Sequence, residues 1–133
     1  MRLEVTIRDS DINAAAVPTI ARGELNTIFI DWGENTAGQE TGALKAGDTV
    51  ASCVVVVDSK PPGASDPTLG SVAANGSSVY VNRRSCSAGE ATTCNITAGA
   101  SQVEGLYRLK FTATTTGGKI LPRFVVVNVG VPS

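Results

Sequence analysis

The run Cys53-Val54-Val55-Val56-Val57 constrains this chain more than any other stretch. It follows the turn residues Gly47-Asp48 and stops at Asp58. A short run of β-branched residues between turn signals reads as a strand, because such side chains fit a pleated surface and the run is too short for a stable helix. Successive strand residues point to opposite faces, so Val54 and Val56 oppose Cys53, Val55 and Val57. A surface strand alternates apolar with polar residues, whereas this one is apolar on both sides. Phe124 and Val126 repeat the pattern against Val125, Val127 and Val129. One face of each strand belongs to a core. The other is covered by the chain's own loops, buried against another subunit, or left exposed. The last is disfavoured because large apolar patches are uncommon on monomers.

The rest of the chain supplies strands at short spacing and almost no helix signal. Leu3, Val5 and Ile7 alternate with polar residues, and "LNTIFIDW" (25–32) is β-branched and aromatic. A helical turn around Asn13 to Ala16 is interrupted by Pro18 and Gly23. Shorter strands are expected at 69–73, 77–82 and 91–97, and two long ones at 103–115 and 119–131. In the first of these, Tyr107, Leu109, Phe111 and Ala113 share the core face, while Arg108, Lys110 and Thr112 face solvent or a partner. Gly117-Gly118 predicts a two-residue turn between the long strands, and Asn75-Gly76 predicts another hairpin. The polar segments 30–49 and 82–102 are expected to be surface excursions. This spacing predicts an all-β chain of about eight strands forming a single β-sandwich over 1–133, jelly-roll or immunoglobulin-like. Residues 1–24 are expected to form an N-terminal strand and arm, and 25–131 the sandwich.

Composition narrows the chemistry. There is no histidine, so the commonest general base and metal ligand is missing, and Ser-His or Cys-His nucleophiles cannot be assembled. Carboxylate pairs among Asp31, Glu34, Glu40, Asp48, Asp58 and Asp66 are the remaining catalytic option, and loop carboxylates at this density are usually solvated. The reading is therefore a non-enzyme, with no cofactor and no metal site. A net charge of −1 provides no field for nucleic acid or an acidic membrane. No leader-like or bilayer-length apolar run is present, so synthesis and assembly in the cytoplasm are expected. Cys53, Cys86 and Cys94 are odd in number, which favours reduced thiols, with a Cys86–Cys94 pair as the alternative.

The order of Asp31-Trp32, then Gly47-Asp48-Thr49-Val50 with Ser52, then Tyr107, Leu109, Thr114 and Gly117 resembles the small β-sandwich virion proteins of tailed bacteriophages. The likeness covers roughly 25–130. The spacing Gly105-Leu106-Tyr107 departs by one residue, and the segment 82–102 is longer than usual for the family. The resemblance implies a capsid decoration (cement) protein on the capsid exterior, or a tail, neck or fibre adaptor. It implies the major capsid protein and further copies of this chain, as a homodimer or higher oligomer, as partners. Partner-contact candidates are Trp32, Glu34 and Glu40, then Arg83 and Arg84, then Arg2, Glu4 and Arg8. Trp32 reads first as a core or rim packing residue, with an interface anchor as the alternative.

Overall fold

The computed structural model describes residues 2–6, 19–39 and 42–130. These residues form eleven strands and no helix: β1 (Arg2–Thr6), β2 (Thr19–Ala21), β3 (Leu25–Asp31), β4 (Val50–Ser59), β5 (Thr68–Leu69), β6 (Ala73–Ala74), β7 (Val79–Val81), β8 (Arg84–Cys86), β9 (Ala91–Thr97), β10 (Gly105–Thr115) and β11 (Ile120–Gly130). The first sheet runs β1-β3-β9-β5, with β6 also on β9. The second runs β2-β11-β10-β4, and β7 and β8 form a separate hairpin. The two larger sheets make an all-β, sandwich-like fold. Both β1, parallel to β3, and β2, parallel to β11, are sheet members, so residues before 25 contribute a strand to each layer. The predicted turn at Asn13–Ala16 lies outside the described residues, as does Ile7.

Alternation explains which faces meet. Leu3, Val5, Ile28, Ile30, Cys94 and Ile96 come from the first sheet. Ile20, Cys53, Tyr107, Leu109, Phe111, Ala113, Val125, Val127 and Val129 come from the second, and all are buried in one cluster. Tyr107 is fully buried, so its hydroxyl needs partners. It donates to Val103 O at 2.6 Å and accepts from Gln102 Nε2 at 3.0 Å. A second, smaller cluster lies across the first sheet's outer side. There Val81, Cys86 and Ala91 pack with Phe29 and Val79, so the β7–β8 hairpin covers part of that face.

Three turns differ from expectation. The β10–β11 connection has a three-residue loop. Thr115 N donates to Lys119 O at 2.8 Å and Gly118 N to Thr115 O at 3.0 Å, with Gly118 at φ 85°. This is a tight turn closed by a left-handed residue, which glycine adopts without steric cost. Asn75-Gly76 does not join a hairpin, because β6 pairs with β9 and β7 with β8. Instead Asn75 Nδ2 donates to the carbonyls of Ser77, Cys86 and Ser87, and its Oδ1 accepts from Gly89 N and Ala91 N. The hairpin turn is Asn82-Arg83, both at positive φ (49° and 69°), between the paired residues Val81 and Arg84. The segment 82–102 is likewise no surface excursion, since β9 is an inner strand with neighbours on both sides.

Asp48 holds the β10–β11 hairpin to the loop before β4. Its Oδ1 accepts from Gly117 N at 2.9 Å and from Thr49 N at 3.0 Å. Desolvation raises its pKa, but hydrogen bonds from Thr115, Gly117 and Thr49 and the charge of Lys119 outweigh this and hold it below the ordinary 3.8. A carboxyl depressed by folding stabilises above its unfolded pKa, and the contribution is lost as pH falls through the folded value. Asp48→Asn is therefore expected to cost up to about 1 kcal/mol at neutral pH after solvent screening. The gap to wild type closes below about pH 4, as read from urea melts across pH.

All three cysteines are buried and free, so the Cys86–Cys94 alternative does not form. Cys94 sits in the main core and Cys86 under the hairpin. Burial, and then the neighbouring Cys94, push the Cys53 thiol up to about 12. Burial, and then Asp31, do the same for Cys86. Neither is a ready nucleophile.

Candidate functional site

The sequence candidates fall into three places. Trp32, just after β3, is fully buried, and its Nε1 donates to Thr92 Oγ1 at 2.9 Å. Its carbonyl accepts from Ala43 N and Leu44 N, which folds the following loop back onto the sandwich. Gly33 allows this approach: a Cβ there would lie 2.4 Å from the Gly42 backbone, and its φ is 107°. Trp32 is thus a core residue of this chain and is not available as a surface anchor.

Arg84 is also turned inward. Its Nε and Nη2 clamp the two carboxylate oxygens of Asp31 at 2.8 and 2.7 Å, and its Nη1 reaches Glu90 Oε1 at 3.3 Å. Asp31 and Glu90 are nearly inaccessible, at 1% and 2% exposure. Their remaining oxygen capacity is taken by main-chain donors: Gly33 N on Asp31, and Ser87 N and Asn35 N on Glu90. The hydrogen bond to Asp31 is the main reason that the Arg84 pKa lies above its ordinary value. One cation thereby fastens β3, β8 and the turn before β9. This is a structural clamp with no free donor set for a substrate. Among the described residues, no group of three His, Cys, Asp or Glu side chains is placed to hold a metal ion.

Arg2, Glu4 and the Asn82-Arg83 turn do come together. The Arg2 guanidinium stacks on Phe29, 3.8 Å from the ring centre, pairs with Glu4 at 3.3 Å and donates to Tyr80 O. Asn82 N donates to Glu4 Oε1 at 3.2 Å. These contacts dock the hairpin on the first sheet and leave Arg83 exposed. Glu34, half-buried, lies in the loop that Trp32 tethers. Glu40 and Arg8 lie outside the described residues.

The least covered apolar surface is the outer face of the second sheet. Val54 and Val56 are 63% and 54% exposed. Register places Val56, Lys110 and Phe124 in one row across β4, β10 and β11, and Val54, Thr112 and Pro122 in the next. Arg108 stacks on Phe124 at 3.8 Å, with Lys110 Nζ at 6.0 Å from the same ring. Asp58 lies 3.7 Å from Arg108 Nε, an exposed pair of little energetic weight. Exposed Leu106 and Ile120 mark opposite ends of the face. Unlike the first sheet, this face carries no hairpin among the described residues. The alternation Arg108-x-Lys110 beside Val54-x-Val56 was visible in the sequence, but their adjacency depends on strand order.

Chemically, the face is an apolar floor with two cations beside an aromatic ring. Such a surface can dock a protein that offers apolar side chains ringed by carboxylates. Comparison with protein-family models, with curated proteins and with solved structures returned no match.

Proposed function

We propose that this chain is a bacteriophage virion structural protein, a decoration or cement domain that binds the outside of the major capsid lattice and stabilises it. The observation that carries the reading is the outer face on which exposed Val54 and Val56 lie beside half-buried Phe124, Lys110 and Arg108. The sequence resemblance supports it independently. The partner surface it fits is apolar and acidic, and the cation–ring stacks hold the two charges in place before contact.

The mechanism is linkage and involves no bond chemistry. A domain that binds only the mature lattice stabilises it at each site by RT ln(1 + [L]/Kd), so many modest sites strengthen a shell. Apolar burial contributes about 25 cal/mol per Å², and complementary charge sets orientation and on-rate. The test is uptake of the purified protein by shells that lack it. Saturation at a stoichiometry set by the capsid lattice supports a cement role. Saturation at a single ring moves the protein to the tail or neck adaptor role, and no uptake contradicts both.

A further inference from the structure

We infer that Asn75 is a deamidation site held inert by its own hydrogen bonds, and that opening of the junction around it converts it irreversibly to aspartate and unfastens the β7–β8 hairpin. Asn75-Gly76 is the single Asn-Gly pair in the chain. Asparagine before glycine is the chemically labile pairing, because a following residue without Cβ leaves its main-chain nitrogen free to reach the asparagine side chain. Gly76 N gives up its proton and attacks Asn75 Cγ. A C–N bond forms, Nδ2 takes up a proton and leaves as ammonia, and a cyclic imide remains. Water then opens the imide at one of its two carbonyls. One opening gives aspartate, and the other gives isoaspartate, whose main chain runs through the side-chain carbons. Water is the co-reactant, and nothing is oxidised or reduced.

Burial does not protect this pair. Gly76 and Ser77 are exposed, and Asn75 is half-buried. The side-chain bonds protect it instead. Asn75 Nδ2 donates to Ser77 O at 2.9 Å, Cys86 O at 3.2 Å and Ser87 O at 2.9 Å. Its Oδ1 accepts from Gly89 N at 2.9 Å and Ala91 N at 3.1 Å. The main chain is held as well, since Asn75 N donates to Ala91 O and Asn75 O accepts from Gly89 N, both at 3.0 Å. Carbonyls on one side and N–H groups on the other permit a single orientation of the amide. Attack needs the opposite: the side chain must swing until Gly76 N meets the face of Cγ, and Nδ2 must be free to leave. The reaction therefore waits on opening, and its rate scales with the open fraction.

The product cannot rebuild the junction. A carboxylate has no hydrogen to give the carbonyls of Ser77, Cys86 and Ser87, and it sets an oxygen against them. It also adds negative charge to a turn that already holds buried Glu90, whose Oε1 accepts from Ser87 N at 2.7 Å. Three parts of the fold meet at this turn. Val50 N, at the start of β4, donates to Gly89 O, and Trp32 N donates to Glu90 O, both at 2.9 Å. Cys86, the last residue of β8, loses the amide that ties it to the first sheet's side of the junction. Because ammonia is lost, conversion accumulates with each opening that reacts.

This inference needs no binding partner, so it stands or falls apart from the lattice reading. The test follows the Asn75 peptide of the full chain by mass spectrometry during incubation in mildly alkaline buffer, with and without urea. Conversion is expected to be at least ~tenfold slower in the folded protein, since opening must precede attack. Gly76→Ala is the control for the chemistry. Gly76 lies outside the left-handed region and a Cβ there meets nothing within 4 Å, so this variant folds as wild type does and converts more slowly than wild type in urea. Asn75→Asp reproduces the product. It is expected to lower the folding equilibrium constant at least ~tenfold and to speed hydrogen exchange across 79–91 more than across β10 and β11. Should that variant not fold, wild type aged in urea and then refolded supplies the comparison, with converted chains enriched in the unfolded fraction. Equal conversion of folded and unfolded wild type overturns the proposal. So does an Asn75→Asp variant with wild-type stability and exchange, or an even distribution of converted chains after refolding.

Discussion

Arg84→Met is expected to lower the stability of the domain by about 3–5 kcal/mol at neutral pH, measured by urea denaturation. That is a large fraction of the 5–15 kcal/mol that holds an ordinary domain together. The reason is the imbalance it leaves behind. Asp31 and Glu90 are buried, and Arg84 is the cation that contacts both. Methionine fills similar volume but returns no charge, so two carboxylates remain in a poorly solvated site. Arg84→Lys restores the charge without the planar fork that grips both Asp31 oxygens, and its loss should fall between methionine and wild type. If methionine costs less than about 1 kcal/mol, the cluster behaves as a surface pair and its assignment as a clamp fails.

Trp32→Ala is expected to cost about 3–5 kcal/mol, the usual penalty for emptying a buried aromatic site. It also strips Thr92 Oγ1 of its indole partner and loosens the floor on which Ala43 and Leu44 rest. A core role and an interface role separate in a paired measurement. The variant's melting temperature should fall steeply, while the folded fraction should bind shells as wild type does, since Trp32 reaches no surface. Normal stability with lost binding would return Trp32 to the interface.

Local pattern carried the long strands and failed where distant residues decide. Tyr107, Leu109, Phe111 and Ala113 could be placed on the core face because a period of two is local, and all four are buried. The double-faced character of Cys53–Val57 was equally plain, but its cover was not. Only the strand order shows that β4 is an edge and that Val54 and Val56 stand open beside Lys110. Asn75-Gly76 misled because the Asn75 amide serves distant main-chain groups rather than a local turn. The turn at Asn82-Arg83 was hidden because arginine at positive φ lacks the glycine signature. Arg84 read as an exposed cation because its partner Asp31 is 53 residues away in sequence.

The proposed function requires the outer face of the second sheet to be a docking surface. Its most direct test compares uptake by shells of wild type and of Lys110→Glu, a half-buried site whose reversal leaves the core untouched. Wild type is expected to saturate the lattice and the folded variant to bind at least ~tenfold more weakly, with a smaller salt dependence. Equal uptake of the two proteins at every salt concentration would contradict it.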